Sequence, residues 1–182
     1  MNIFYLHNNP VKCALLHCNE HVRKMTVEYA QLMSTAHRVL DGTKVYEMQN
    51  NRRIARYHIL NDDPRQLILY KASHVNHPSN IWTRSHIDNY NWLYEMWTYL
   101  ADEFTRRSKE NKVHATYIKL HEILKAPPNN INKEPIEWVD PPQTMFDDVK
   151  HENTIVAYRQ FYKVHKSKFA SWPENEVPSW MT

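Results

Sequence analysis

The sequence predicts a mainly α-helical single domain with a short N-terminal strand and a small β-hairpin excursion over about 45–70. Three observations predict it. Apolar residues recur at spacings of three and four through two long stretches, the period of an amphipathic helix. The chain has 182 residues, the length of one domain. Apolar residues make up 42% of it, enough for one packed core.

Asn2 to Leu6 reads as the strand, since Ile3-Phe4-Tyr5-Leu6 favours β structure. His7-Asn8-Asn9-Pro10 is a turn, with Asn9 as N-cap and Pro10 at the first helical position. A helical pattern then runs from about Val11 to Leu40 and breaks near Cys18-Asn19, where Asn19 caps a second helix. Its apolar face uses Val22, Met25, Tyr29, Leu32, Ala36 and Leu40. Asp41-Gly42 ends it, with glycine on the C-terminal side as helix stops prefer. Val45 to Met48 and Ile54 to Ile59 read as strands flanking Asn50-Asn51. Asn61-Asp62-Asp63-Pro64 is a further turn before Leu67 to Tyr70. His77-Pro78-Ser79 opens the next helical region. Ile87, Tyr90, Leu93, Tyr94, Trp97, Leu100, Ala101 and Phe104 predict a helix from about His86 to Glu110. Ala115 to Lys125 is another. Five prolines between 126 and 149 predict extended chain, Asn153 to about Phe169 a last helix, and Trp172 to Trp180 an extended tail.

Composition excludes several functions. Gly42 is the only glycine. A phosphate-cradling P-loop, a dinucleotide fingerprint and a nucleophile elbow each need at least two, so no nucleotide cofactor and no cofactor of any other kind is expected. No apolar run approaches the ~18 residues of a bilayer span, which predicts no membrane. The first residues have neither a basic region nor a small-residue cleavage site, which predicts no signal peptide. Cys13 and Cys18 lie five apart and project to different faces of a helix, which favours free thiols and a reducing, cytoplasmic setting. The net charge of +3 is mild, so its local distribution matters more than its total.

Three constellations carry chemistry. The first is a stripe of His17, His21, Lys24, Glu28, Gln31 and Thr35, which share one helix face apart from the apolar one. It offers imidazoles, an amine and a carboxylate in one line, and it also reads as ordinary solvated helix surface. Within it His17-Cys18-Asn19-Glu20-His21 matches the H-x-x-E-H spacing of a zinc hydrolase, although no third ligand is identified and no metal site is assigned. The second is His74-Val75-Asn76-His77-Pro78-Ser79 with Arg84, either an anion-binding helix start or a capped turn. The third is basic and aromatic: Arg106, Arg107, Lys109, Lys112 and His114 at a helix end, then Tyr158-Arg159-Gln160-Phe161-Tyr162-Lys163 through Lys166 and Lys168. Interleaved cations and aromatics suit phosphate contacts and base stacking, and equally an amphipathic helix with its lysines outward.

The residues Asn2-Ile3-Phe4-Tyr5-Leu6, His17-Cys18-Asn19-Glu20-His21-Val22-Arg23-Lys24-Met25, Ala30-Gln31-Leu32, Asn76-His77-Pro78, Trp82-x-Arg84, Asn89-Tyr90-x-Trp92-Leu93 and Ala157-Tyr158-Arg159 resemble a family of small phage-encoded proteins of open function. In that family Lys usually stands where Glu20 does, which weakens the zinc reading. The chain is also faintly similar to pyrimidine-dimer DNA glycosylases of the endonuclease V type, through the basic aromatic segment from Tyr158. That resemblance implies an essential first-helix carboxylate, for which Glu28 is the match in kind, and an N-terminal amine as nucleophile. Here Met1 precedes Asn2, whose bulk predicts that Met1 is retained, a departure from those enzymes.

Together these readings predict a DNA-acting protein, a glycosylase or related base-modifying enzyme. Glu28 would stabilise positive charge on the sugar, with His21 and Lys24 handling protons or phosphate. His77, Arg84, Arg106, Lys112, His114, Arg159 and Lys166 would hold the backbone. Tyr158, Tyr162 or Trp172 would stack on an extruded base. The rival readings are a non-catalytic binder of nucleic acid or of a host protein, and the zinc hydrolase.

Overall fold

The computed structural model describes residues 1–59 and 63–182. Among them are seven α-helices and one two-stranded antiparallel sheet. The mainly α expectation with a small hairpin therefore holds. The expected turn at 61–64 lies largely outside the described residues.

Helix α1 spans Pro10–Leu15, capped as the sequence predicts by the Asn9 side chain on the Lys12 N–H. Helix α2 spans Asn19–Asp41. Its cap residue is Cys18 rather than Asn19, one residue earlier than expected. The predicted apolar face is buried from Val22 to Ala36, with Leu40 half-buried at the end. Strands β1 (Thr43–Gln49) and β2 (Arg52–His58) follow, in register from Thr43 opposite His58 to Gln49 opposite Arg52. Asn50 and Asn51 turn the hairpin with φ of 49° and 60°, values that asparagine tolerates.

Gly42 is needed for a different reason from the one its position suggests. Its φ is −100°, so no left-handed cap is involved. A Cβ there would lie 2.3 Å from the Arg38 carbonyl oxygen and 2.9 Å from that of His58. The chain needs glycine because the helix end and the hairpin base meet backbone to backbone.

Helix α3 is one short turn, Arg65–Ile68, where extended chain toward Tyr70 is expected. Arg38 explains the local coiling. Its buried guanidinium donates to the carbonyls of Tyr57, Gln66, Leu69 and Tyr70 and to Gln66 Oε1, so these oxygens must converge on one point. Helix α4 (Pro78–Ser85) and helix α5 (Ile87–Arg107) come next, capped by the ring Nδ1 atoms of His77 and His86. Helix α6 spans Ala115–Leu124, capped by His114. The proline-rich 126–149 stretch is largely extended, with turns at Asn129–Asn130 and Asp147–Val149. Helix α7 spans Thr154–Phe161, and Tyr162–Lys166 continues as a single wider π turn rather than α-helix to Phe169.

The core lies between α2 and α5, with α1, α4, α6 and α7 around them. Trp97 of α5 is fully buried, and its Nε1–H donates 2.7 Å to the Thr26 carbonyl of α2. The N-terminal segment enters this core without being a strand. Ile3 to Leu6 are buried, yet no strand pairs with them. Their backbone polar groups bond to side chains instead, as buried peptide groups require. Phe4 N–H donates to Tyr29 Oη, and the Phe4 carbonyl accepts from Cys13 Sγ. The Leu6 carbonyl accepts two bonds from Arg159. Local β preference is real here, but among the described residues the segment packs against helices and the extended 138–144 stretch without a strand pairing to it.

Candidate active site

The stripe on α2 is one line in sequence but three environments in space. At its N-terminal end His17 is fully buried. Its Nδ1 lies 2.8 Å from the Cys13 carbonyl and must carry the proton, so Nε2 accepts from Tyr29 Oη at 2.9 Å. Burial, slightly offset by the Cys13 bond, lowers its pKa to about 4. With both ring nitrogens committed, His17 cannot serve as a zinc ligand. Glu20 is turned to solvent, paired with Arg23 at 2.8 Å. Among the described residues no three metal-ligating side chains converge. At the other end Thr35 is buried and accepts from the Ser73 N–H.

The centre of the stripe is open. Glu28 receives two amines. Lys24 Nζ lies 3.6 Å from Oε1, and the α-amine of Met1 lies 4.0 Å from Oε2. The Met1 side chain is only 7% exposed and that of Glu28 only 20%, so the carboxylate is shielded, whereas Lys24 at 59% reaches solvent. Met1 is held in place by its carbonyl, which accepts from the buried Ser79 hydroxyl at the start of α4. His77 faces the same group. Burial, then the Met1 amine and His74, lower its pKa, with Glu28 acting in the opposite direction.

The turn carrying His74 and His77 is braced from beneath. Asn80 donates to the carbonyls of Ser73 and His74, and Arg84 donates to that of Val75. His74 itself has a φ of 48°, uncommon for a residue with a Cβ.

Lys24 also lines a separate cavity of about 600 Å³. It is lined by Asn19, Glu20, His21, Lys24, Lys166, Phe169 and Ser171. His21 Nδ1 sits 2.5 Å from the buried Tyr162 hydroxyl, and its ring stacks at 4.2 Å on Phe4. Burial first, then the charges of His17, Lys166 and Lys24, lower the His21 pKa to about 3. His21 is therefore neutral at physiological pH. It can act as a hydrogen-bond partner but not as the proton carrier expected of it. Burial and then Lys24 lower the pKa of Lys166, as expected of two ammonium groups lining one cavity. The structure thus brings one member of each constellation together: His77, the Lys24–Glu28 pair and Lys166.

The remaining expected binding residues are placed elsewhere. Arg84 is committed to the Val75 carbonyl, and His77 Nδ1 caps its own helix at Ser79, which is the capped-turn reading. Arg106 is held by Glu103 and Glu176, and those contacts raise its pKa. Its guanidinium is already matched by carboxylates. Lys112 is exposed, and His114 caps α6 beside Phe104; both lie outside the groove. Arg159 holds the Leu6 carbonyl and covers the Trp180 ring. Tyr158, Tyr162 and Trp172 are core residues whose polar atoms bond to the Pro142 carbonyl, His21 and the Leu16 carbonyl. Their rings are buried, which corrects the expectation that they stack on a base.

Sequence reasoning missed the Met1 amine as a site group. The α-amine of Met1 lies beside Glu28. No protein-family model matches this chain, and comparison with curated proteins and with solved structures gives no match. No described helix is long and apolar enough to cross a membrane.

Proposed function

We propose that the chain acts on DNA through amine chemistry at the Glu28 groove, as a glycosylase or abasic-site lyase. The observation that carries this reading is the Met1 amine 4.0 Å from the Glu28 carboxylate, which is 20% exposed. An amine nucleophile attacks the sugar C1′, and the bond to the base or to the hydroxyl of an abasic site breaks. The departing group takes one amine proton; the C1′–O4′ bond of the ring then opens, O4′ takes the second amine proton, and the nitrogen and C1′ are left joined as an imine. A carboxylate next to that carbon stabilises the positive charge that develops on the sugar. Glu28 has the position for this, while Lys24 and Lys166 supply positive charge for flanking phosphates. The neutral His21 offers a hydrogen bond within the cavity.

The test uses a duplex carrying one abasic site, incubated with the protein and reduced with borohydride, which converts an imine to a stable secondary amine. Intact mass of the purified chain is measured first, because the reading needs residue 1 to carry a free amine. The expected result is a covalent adduct whose peptide map places DNA on residue 1. Glu28→Gln should lower the trapping rate by roughly a hundredfold or more, the usual scale for removing one electrostatic group from a site. Undiminished trapping by Glu28→Gln would overturn the reading.

A further inference from the structure

We propose that the β1–β2 hairpin is a DNA-gripping arm, with one of its faces built to sit on duplex DNA. The proposal rests on DNA being the substrate class, and not on the amine chemistry at Glu28.

Charge is the first argument. Residues 43–58 hold Lys44, Arg52, Arg53 and Arg56 against the single acid Glu47, so this short segment carries as much net charge as the whole chain, +3. The second argument is how that charge is distributed. In this register Thr43, Val45, Glu47 and Gln49 share one face with Arg52, Ile54, Arg56 and His58. There Glu47 neutralises Arg56 at 3.6 Å and bonds His58 at 2.8 Å.

The opposite face holds Lys44, Tyr46 and Met48 beside Arg53, Ala55 and Tyr57, with no carboxylate. Its cations meet aromatic rings instead: the Arg53 guanidinium lies 4.0 Å from the centre of Tyr46, and Lys44 Nζ lies 5.3 Å from it. Tyr46 is 53% exposed and Met48 69%. A face whose cations meet no carboxylate among the described residues, set around an exposed ring and an exposed thioether, suits phosphates flanking base edges.

Shape is the third argument. Each strand has seven residues, a ribbon about 20 Å long at the usual rise. A two-stranded ribbon fits the major groove of B-form DNA. The arm is also held at its base, where Arg38 grips the Tyr57 carbonyl and Gly42 permits backbone contact with His58. The Asn50-Asn51 turn closes its tip in two residues.

The experiment measures binding of a fluorescent 20-base-pair duplex by anisotropy across a salt series. The double variant Lys44→Gln, Arg53→Gln, which removes both cations of the proposed face, is compared with the parent. Each phosphate contact contributes about 0.9 to the slope of log affinity against log salt, so the slope should fall by about 1.8. Tyr46→Ala with Met48→Ala should weaken binding severalfold while leaving the slope unchanged. All substituted residues are exposed, and a thermal melt confirms the fold. If the parent binds and the double variant keeps its slope, the arm is refuted while the Glu28 reading stands. If the slope falls as expected but no imine is trapped, the arm stands and the Glu28 reading fails. A parent that binds no duplex overturns both.

Discussion

Arg38→Met tests the framework beneath the hairpin. Arg38 is 4% exposed and has no carboxylate partner among the described residues. Its five hydrogen bonds, 2.6 to 3.2 Å long, end on four backbone carbonyls and one side-chain amide oxygen. Methionine fills similar space but donates nothing, so all five oxygens lose a donor together. Hydrogen bonds to a charged group contribute about 1.5–3 kcal/mol each. The gain is offset by the desolvation of the guanidinium, and in the variant water reaches the oxygens nearest the surface. A net loss of about 3–5 kcal/mol follows, the range seen when a buried charged network loses one member. In a chain of this length each kcal/mol moves the melting temperature by about 2–4 °C, so Tm should fall by about 10 °C. Circular dichroism measures the melt, and amide hydrogen exchange locates the damage, which should concentrate in residues 57–59 and 63–70. A melt within 2 °C of the parent, or exchange raised evenly along the chain, would refute this account of how the 57–70 segment is held.

Gly42→Ala should destabilise the fold by about 1–3 kcal/mol, since the new Cβ meets two backbone carbonyls that cannot rotate away. Gly42→Asn should do no better, although asparagine commonly replaces a left-handed glycine; a tolerated Asn would show that conformation rather than contact selects glycine. Acid should weaken the fold through its buried histidines. His17 and His37 are lowered to about 4 and His21 to about 3, each mainly by burial. Above pH 6.5 neither the folded nor the unfolded chain protonates them, and their stabilising contribution is complete. Between pH 6.5 and about 4 only the unfolded chain binds these protons, so stability falls as pH drops, by up to about 1.4 kcal/mol per pH unit for each histidine. Urea unfolding midpoints at pH 7, 6 and 5 measure this, and a flat profile would refute the burial argument.

Elements that depend on neighbouring residues were legible in the sequence. Asn9-Pro10 and His77-Pro78 announce helix starts because cap and first turn are adjacent in the chain. The period of α2 and α5 announces their buried faces. The Leu6 segment was misread because β preference cannot reveal that no partner strand arrives. The binding residues were misread for a related reason. Arg106 could be suspected of pairing with Glu103 three residues earlier, but not with Glu176, seventy residues on. The stripe was legible as a face, whereas its division into buried ends and an open centre depends on Phe4, Ser73 and Lys166, none of which belongs to α2.

The buried thread Ile3 to Leu6 also constrains the order in which this protein can assemble. Leu6 leaves the ribosome 153 residues before Arg159, which together with Tyr162 completes the surroundings of the thread. Helices α2, α4, α5 and α6 can associate during synthesis, while the thread must wait for α7 before its last backbone oxygen is satisfied. Long-range closure of this kind is slow compared with helix pairing. Met1 is carried at the end of that thread, so the amine and Glu28 meet only once the thread is seated. The groove is thus coupled to the final step of folding, and an incomplete or misassembled chain would hold the carboxylate without its amine.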